Sequence, residues 1–336
     1  MGEHDNAAQP QGRIVAGRYR VAERLGRGGM GTVWRAVDQR LGREVAVKEL
    51  RSFSDADKAE LAEQRTRMRR EARAAARVRH PGVVAVHDVT EDAGRPVIVM
   101  ELVGGPSLQQ VLTKHGPLEP TEAARIGAQV AEALAAAHRV GVLHRDVKPS
   151  NVLLERGGRV VLTDFGIAAL DEPGDGAATR LTRSGELVGS LDYLAPERAR
   201  GAEPGPAADV WALGATLYAA VEGVAPFSRT STWSTINAIV TEPPSAPVRA
   251  GALTAALAEL LEKDPALRPD AERARRLLQA VVAGTEPPPG SPDTVRLRLP
   301  RAAAVPPGRP VPGGTAGGSA GGAAGGAAGA TAQVAG

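Results

Sequence analysis

The chain has 336 residues and contains no cysteine, so neither a disulfide nor a cysteine-based metal site can form. Its formal net charge of +3 is too small to argue for a nucleic-acid or membrane-surface partner. The polar first residues lack the apolar core of a secretory signal, and no run of about 18 apolar residues predicts a membrane-spanning helix, which favours a cytoplasmic location.

Composition divides the chain into four regions. Residues 1–16 are a polar lead that we expect to be disordered. Residues 17–102 contain mainly strand patterns, and residues 103–284 contain mainly helix patterns. Prolines and then a Gly/Ala repeat fill residues 285–336, which we interpret as a flexible tail.

The second region mixes strand patterns with one helix pattern. Its strand candidates are β-branched or apolar runs at 21–25, 33–37, 44–50 and 96–102. Between them, residues 56–79 are rich in Ala, Glu and Arg and predict a helix. In the third region, helices are predicted at 121–140, 207–222, 253–263 and 270–283, the last with Asp270 as its N-cap.

A glycine-rich segment joins the first two strand candidates. Gly26, Gly28 and Gly31 have the spacing G-x-G-x-x-G, which also fits a loose turn or a dinucleotide-binding fold. In a dinucleotide-binding fold a helix would follow, whereas "TVWRAVD" predicts a strand. A β-hairpin that closes over phosphate groups fits better, because glycine lets backbone N–H groups approach an anion.

Lys48 lies in the strand candidate "EVAVKEL". Side chains alternate along a strand, so Val45 and Val47 share one face while Ala46 and Lys48 share the other. The small Ala46 beside an inward-facing amine leaves room for a flat ring with phosphates beyond it. The alternative interpretation is a solvent-exposed lysine.

Two polar turns adjoin apolar strands farther along the chain. Asp146 and Asn151 lie in "HRDVKPSN", directly before "VLL", and Asp164 follows "VVLT". Asp and Asn are common in any turn, but the two strands would bring Asn151 and Asp164 to neighbouring positions. An amide oxygen and a carboxylate suit Mg²⁺ or Mn²⁺. A metal beside a phosphate-binding loop indicates phosphoryl transfer.

These motifs together resemble a eukaryotic-type (Hanks-type) protein kinase of the bacterial serine/threonine branch. The resemblance covers about residues 18–283, most of the chain, and the motifs follow in the family's order. It also includes "APE" at 195–197, "DVWALG" at 209–214 and "KDPALRP" at 263–269.

The resemblance implies an α+β, bilobal fold. Residues 17–102 would form a small, mostly β N-lobe with one key helix, and residues 103–284 a larger, mostly α C-lobe. The implied activity is ATP-dependent transfer of the γ-phosphate to Ser or Thr hydroxyls of protein substrates, in signal transduction. A homodimer is a candidate arrangement for trans-autophosphorylation.

The resemblance also assigns chemical roles. Asp146 is similar to the catalytic base, and Lys148 to the lysine that steadies the transferred phosphate. Asn151 and Asp164 resemble the ligands of Mg²⁺ or Mn²⁺. The implied ATP-binding residues are Leu25, Gly26, Gly28, Gly31, Val33, Ala46, Lys48, Glu71, Met100, Glu101, Val103 and Leu153.

Within that set, Lys48 resembles the lysine that holds the α- and β-phosphates. Its helix partner is assigned to Glu71, with Glu60 and Glu63 as competitors. Met100 resembles the gatekeeper that precedes the adenine hinge, Glu101 to Val103.

Other positions resemble structural and regulatory residues. Glu197 and Arg268 resemble a buried ion pair, and Asp209 resembles the acid that braces the catalytic loop. Arg145 resembles the arginine that contacts a phosphate on the activation segment. The candidate acceptors on that segment are Thr182 and Ser184, and then Thr179.

Two rival interpretations use the same fold. A pseudokinase scaffold would have lost at least one key residue, and every one is present here. A small-molecule phosphotransferase would lack the "APE" segment, which this chain has.

Two features depart from the bacterial branch. The chain ends in Gly and Ala, where many members continue into a transmembrane helix and a sensor, and it has Ser190 where many members have Thr.

Overall fold

The computed structural model describes residues 12–28, 31–50, 75–165 and 191–285. All of these belong to one compact unit, Met1–Ser291. Glu71, most of the helix predicted at 56–79 and the tail beyond Thr285 lie outside the described residues. So do the three candidate phosphorylation sites, Thr179, Thr182 and Ser184.

An antiparallel sheet dominates the first part of the described chain. Its strands are β1 (Ile14–Val15), β2 (Tyr19–Gly28), β3 (Gly31–Asp38), β4 (Arg43–Leu50), β5 (Val86–Asp92) and β6 (Arg95–Met100). They lie in the order β1-β2-β3-β4-β6-β5. The four predicted strands correspond to β2, β3, β4 and β6. The sequence pattern does not predict β5, because its residues are half-buried on both faces and do not alternate.

The two faces of the sheet pack differently. Val45 and Val47 join a buried cluster on one face, together with valines of β6. Ala46 belongs to a second cluster with Met100, and Lys48 is 3% exposed. The alternation predicted for β4 is therefore confirmed, and Lys48 is not a solvent-exposed lysine.

The folded part begins earlier than the predicted boundary at residue 17. Val15 is fully buried in the cluster of β4 valines and pairs with Tyr19 in the ladder between β1 and β2. The N–H of Gly12 donates to the Val21 carbonyl at 3.0 Å. The expectation of disorder is thus wrong for residues 12–16, where a strand of two residues is too short to leave a sequence pattern.

Helices form the second part. They are α1 (Leu108–His115), α2 (Pro120–Arg139), α3 (Pro196–Ala199), α4 (Pro206–Glu222), α5 (Thr232–Thr241), α6 (Thr254–Leu260) and α7 (Ala271–Ala283). The predicted helices correspond to α2, α4, α6 and α7, and Asp270 caps α7 by accepting from the Arg273 N–H at 2.7 Å. The short helices α1 and α5 are not predicted; capping boxes at Ser107 and Ser231 start them. Among the described residues, no helix has the length and apolar character needed to cross a membrane.

Close packing of α2 against α4 builds the centre of the helical part. At Gly127 of α2, an added Cβ would lie 2.6 Å from a methyl of Leu217 on α4. α4 itself is buried continuously from Asp209 to Val221. A helix buried on all sides is a rigid base for any polar side chain that leaves it.

A short hairpin follows α2. β7 (Val152–Leu154) pairs antiparallel with β8 (Val160–Leu162), and Val152 lies opposite Leu162. One step beyond this pair, the Thr163 N–H donates to the Asn151 carbonyl at 2.9 Å. Asn151 and Asp164 therefore lie at the same end of the hairpin, as the two apolar strands predict.

Candidate active site

The loop before β7 brings three predicted residues into direct contact. Lys148 Nζ lies 2.8 Å from Asp146 Oδ2. Asn151 Nδ2 donates to the same Oδ2 at 3.1 Å and to the Asp146 carbonyl at 2.8 Å. The Asp146 carboxylate is therefore oriented by a cation and an amide while it remains partly exposed.

Asp209 of α4 supports this loop from the protein interior. It is 1% exposed, and its carboxylate accepts from the N–H groups of His144 at 2.9 Å and Arg145 at 2.8 Å. His138 Nε2 lies 2.8 Å from Oδ2. Arg145 needs such support because its φ of 67° lies in the left-handed region, which is costly for residues other than glycine. A buried carboxylate thus holds the backbone directly before Asp146.

Lys48 and Asp164 form a second ion pair. Lys48 Nζ lies 2.8 Å from Asp164 Oδ1. Burial by itself would raise the pKa of Asp164, but the positive charge of Lys48 outweighs it, with a smaller contribution from Lys148, and the pKa lies below its ordinary value. Asp164 is therefore an anion at neutral pH. The predicted pairing of Lys48 with Glu71 lies outside the described residues.

Asn151 and Asp164 have the chemistry of a divalent-cation site. Because Asn151 Nδ2 is turned toward Asp146, the oxygen on the other branch of the amide is directed away from it. One amide oxygen and one carboxylate fit Mg²⁺ or Mn²⁺. The described part of the chain contains no cluster of three or more His, Asp or Glu side chains that could hold a metal alone.

Apolar side chains of the sheet and the β7–β8 hairpin form one cluster beside Lys48. Ala46 and Met100 lie opposite each other across β4 and β6. Five of the predicted ATP-binding residues belong to this cluster or pack against it: Val33, Ala46, Met100, Val103 and Leu153. Leu25, another predicted ATP-binding residue, is 46% exposed and lies outside the cluster.

The three glycines at the end of β2 and the start of β3 differ in what surrounds them. At Gly26 and Gly28 an added Cβ would meet no atom of the described residues within 4 Å, so packing among those residues does not require glycine there. The open space beside these two backbones is available to an anion. At Gly31 the φ is 149°, and an added Cβ would overlap the Glu49 carbonyl oxygen. Gly31 therefore has a packing role, which the motif spacing does not reveal.

The protein kinase domain family matches residues 19–279, a range that includes both ion pairs and the apolar cluster. The chain belongs to the protein kinase family. The predicted family and its α+β fold are thereby confirmed.

Bacterial serine/threonine-protein kinases are among the relatives of this kinase chain. It is 41% identical to PknA of Mycobacterium tuberculosis over 292 residues, which is 82% of this chain and 64% of that protein. It is 40% identical to PkaA of Streptomyces coelicolor over 290 residues (81% and 51%) and 39% identical to PrkC of Bacillus subtilis over 236 residues (70% and 35%). The chain thus spans between about a third and two thirds of the length of these relatives.

The segment predicted to be the kinase hinge is joined to the β7–β8 hairpin. Arg159 donates to Glu101 Oε1 at 2.7 Å and Oε2 at 3.1 Å, and to the Pro81 carbonyl at 2.8 Å. The hydrogen bonds from Arg159 lower the pKa of Glu101, so the pair is ionised at neutral pH. Sequence reasoning missed Arg159, because "GGRVVL" carries no motif that marks it.

Glu197 and Arg268 of the kinase domain are paired through two hydrogen bonds of 2.8 and 3.1 Å. The Arg268 side chain is fully buried, and it also donates to the carbonyls of Ala207 at 2.6 Å and Glu262 at 2.9 Å. These bonds offset the loss of water around the guanidinium. The pair connects the start of α3 to the segment before α7.

His144 is a further site residue that sequence reasoning did not assign. Its ring is fully buried, with Nε2 2.7 Å from the Thr163 carbonyl, and it packs edge-on against Phe165 at a centroid distance of 4.6 Å. Burial lowers the pKa of His144, so the ring is neutral at physiological pH. His144 thereby joins the Asp146 loop to the Asp164 segment. Its position in "HRD" was the available signal.

Proposed function

We propose that this protein is a serine/threonine protein kinase that transfers the γ-phosphate of ATP to Ser or Thr hydroxyls of other proteins. The observation that carries the proposal is the coexistence of two ion pairs, Lys148 with Asp146 and Lys48 with Asp164, each at 2.8 Å, on either side of Asn151. The names of the bacterial relatives support Ser/Thr specificity.

In this proposal Asp146 is the catalytic base. Asn151 and Lys148 orient its carboxylate so that it accepts the proton of the substrate hydroxyl. The hydroxyl oxygen bonds to the γ-phosphorus while the bond from that phosphorus to the β–γ bridging oxygen breaks, and ADP leaves. Lys148 supplies a positive charge beside the moving phosphoryl group, whose stabilisation is mainly electrostatic.

ATP would be held by the pocket beside Lys48. The adenine fits the apolar cluster around Ala46 and Met100, and the phosphates fit the open backbone at Gly26 and Gly28. Lys48 would contact the α- and β-phosphates as a buried point charge. Asn151 and Asp164 are the residues proposed to hold Mg²⁺ or Mn²⁺, which when bound neutralises phosphate charge.

A radiolabel-transfer assay with a protein acceptor tests this function. Asp146→Asn should lower the rate at least about 100-fold, because a positioned base contributes that much or more. Asp270→Asn is the matched control, since Asn also caps a helix and Asp270 is remote from the loop; it should retain activity. Hydrolysis of the labelled product should release phosphoserine and phosphothreonine. No transfer by the wild type would favour the pseudokinase scaffold, and equal transfer by Asp146→Asn would contradict the base assignment.

We propose further that the kinase phosphorylates itself on Thr182 or Ser184, with Thr179 as the next candidate. The support is the resemblance together with the position of Arg145, whose exposed side chain directly precedes Asp146. A phosphate adds about −1.5 to −2 charges and can pair with a guanidinium. Intact-mass analysis and peptide mapping after incubation with Mg²⁺ and ATP should find the added phosphate. An unchanged mass at full activity would exclude this step.

Transfer between two copies of the chain is the proposed route of autophosphorylation. The inactive Asp146→Asn variant can serve as the acceptor, with wild-type enzyme as the donor distinguished by a mass tag. Phosphate on the Asp146→Asn chain requires transfer in trans. If only the wild-type chain gains phosphate, the reaction is intramolecular and a homodimer is not needed.

A further inference from the structure

Residues 12–16 form an N-terminal arm that lies before the kinase family match, which begins at residue 19. The arm adds β1 to one edge of the sheet, while β5 forms the other edge. The Ala16 N–H donates to Asp92 Oδ1, at the end of β5, at 2.9 Å. The arm therefore connects the two edge strands of the sheet and covers the face opposite Lys48.

Arg13 carries the arm's contact with β4. Its guanidinium donates to Glu49 Oε1 and lies 3.8 Å from Asp92 Oδ2. The other oxygen of Glu49 accepts from Trp34 Nε1 at 2.7 Å. One carboxylate thus joins the arm to β4 and β3, and its side chain is only 17% exposed. Arg13, Glu49, Trp34 and Asp92 thus form a network of linked contacts, which holds its geometry better than an isolated exposed ion pair.

Glu49 is the residue through which this network reaches the nucleotide site. It directly follows Lys48, and its side chain lies on the opposite face of β4. Its carbonyl oxygen is packed against Gly31, in the space where a Cβ would otherwise lie. The backbone at Glu49 is therefore shared by the Lys48 strand and the glycine-rich hairpin, and a shift of this backbone moves both.

We propose that Arg13 is a positioning residue for nucleotide binding, which acts through Glu49 on Lys48 and on the glycine-rich hairpin. The inference rests on the proposed ATP-dependent function and extends it to a segment that the family match does not include. Arg13 pairs with Glu49, whose side chain lies on the face of β4 opposite Lys48, so its effect on the phosphates is indirect. Its loss disturbs the placement of groups that hold phosphates, so the affinity for ATP changes more than the chemical step does.

Steady-state kinetics of Arg13→Ala tests the inference. We expect the KM for ATP to rise about three- to tenfold while kcat stays within about twofold, because small displacements of positioning groups have effects of this size or larger. Hydrogen exchange should become faster at the amides of 32–34 and 47–49, the ladder that Glu49 secures. Arg13→Lys, which keeps the charge, should restore most of the ATP affinity.

Arg35→Ala is the matched control. Arg35 also joins β3 to β4, through a 2.9 Å hydrogen bond to Glu44, but at the end of the ladder away from Gly31. Its KM for ATP should equal that of the wild type. In Glu49→Gln the side-chain carbonyl still accepts from Trp34 and the charge is lost. If Arg13 acts through Glu49, the KM for ATP of the double variant Arg13→Ala/Glu49→Gln should be no higher than that of either single variant.

Two results would overturn the inference: an unchanged KM in Arg13→Ala, whether or not thermal stability is lost, or an equal rise in KM in Arg35→Ala. Failure of the proposed function has a different signature. In that case ATP and ADP would not raise the melting temperature of the wild-type protein. The positioning role of Arg13 would then be excluded together with the proposed function.

Discussion

Arg159 binds both carboxylate oxygens of Glu101, at 2.7 and 3.1 Å, and so connects the segment proposed to bind adenine to the β7–β8 hairpin. The hairpin turn is itself fixed, because the Gly158 carbonyl accepts from Gln129 of α2 at 3.1 Å. The same guanidinium reaches the Pro81 carbonyl. The proposed hinge is thus held by an arginine of a hairpin that is itself anchored to α2.

We expect Arg159→Ala to weaken ADP binding by about fivefold, because the freed hinge must then be ordered each time nucleotide binds. Isothermal titration calorimetry measures the dissociation constant directly. Arg156→Ala, an exposed arginine in the same turn, is the control and should bind ADP like the wild type. Equal affinity of the Arg159→Ala and wild-type proteins would contradict the role of this pair.

The pH dependence of that effect follows from the pKa of Glu101. Arg159 lowers this pKa below its ordinary value of 4.5, so the pair is complete above that value and is lost only as the pH falls through the folded-state pKa. The ratio of ADP affinities between wild type and Arg159→Ala should therefore stay constant between about pH 6 and 8. A ratio that changes within this range would point to another titrating group.

Gly28 and Gly31 should respond in opposite ways to alanine. A Cβ at Gly28 meets no atom of the described residues within 4 Å, so Gly28→Ala should keep the stability and raise the KM for ATP by crowding the phosphates. A Cβ at Gly31 overlaps the Glu49 carbonyl at an unfavourable φ, so Gly31→Ala should lower the free energy of unfolding by roughly 1–3 kcal/mol. Urea unfolding and ATP kinetics on both variants separate the two effects. Equal losses in the free energy of unfolding would show that the space around an added Cβ does not distinguish Gly28 from Gly31.

The buried pair of Glu197 and Arg268 should matter far more to stability than an exposed pair. Glu197→Ala leaves a fully buried guanidinium without its counter-charge, and we expect a loss of roughly 3–5 kcal/mol in the free energy of unfolding. Arg229 and Glu242 form the comparison pair, at 2.6 Å with both side chains about a third or more exposed. Glu242→Ala should cost about 1 kcal/mol or less. Similar losses from both substitutions would contradict this assignment.

Several of the site residues that the sequence predicts have a geometry that is set by short segments. Asp146, Lys148 and Asn151 lie within six residues of chain, so one tight loop brings them together. Asn151 and Asp164 lie at the same end of the hairpin because two short strands pair in the register that places them there. Alternation along β4 likewise predicts the buried face of Lys48.

The contacts that the sequence did not predict join distant segments. Arg159 meets Glu101 across 58 positions, and Arg13 meets Glu49 across 36. Such pairings depend on which strands lie side by side, and an exposed-looking arginine in a loop carries no local signal of its partner. The strand β5 was missed for a related reason, since its half-buried faces do not alternate.

Lys263 follows α6 in the chain, and its side chain reaches the carboxyl end of α5, where it packs against aromatic rings. Its Nζ is 4.1 Å from the ring centroid of Phe227 and 5.2 Å from that of Trp211, and it donates to the carbonyls of Ala238 and Ile239. The pKa of Lys263 is lowered from 10.5 to about 8, mainly by burial. Among the neighbouring charges, Arg200 and Arg268 contribute to this lowering, whereas Glu242 opposes it.

This shift predicts how stability depends on pH. Between about pH 8 and 10.5 the lysine is protonated in the unfolded chain and mostly neutral in the folded one, so its contribution to the free energy of unfolding increases with pH. Lys263→Met keeps the length of the side chain and removes the titration. We expect the difference in unfolding free energy, wild type minus variant, to rise across that range and to be flat between about pH 6 and 7. Urea unfolding at matched pH values measures it, and a difference that does not change with pH would mean that the folded-state pKa of Lys263 is not lowered.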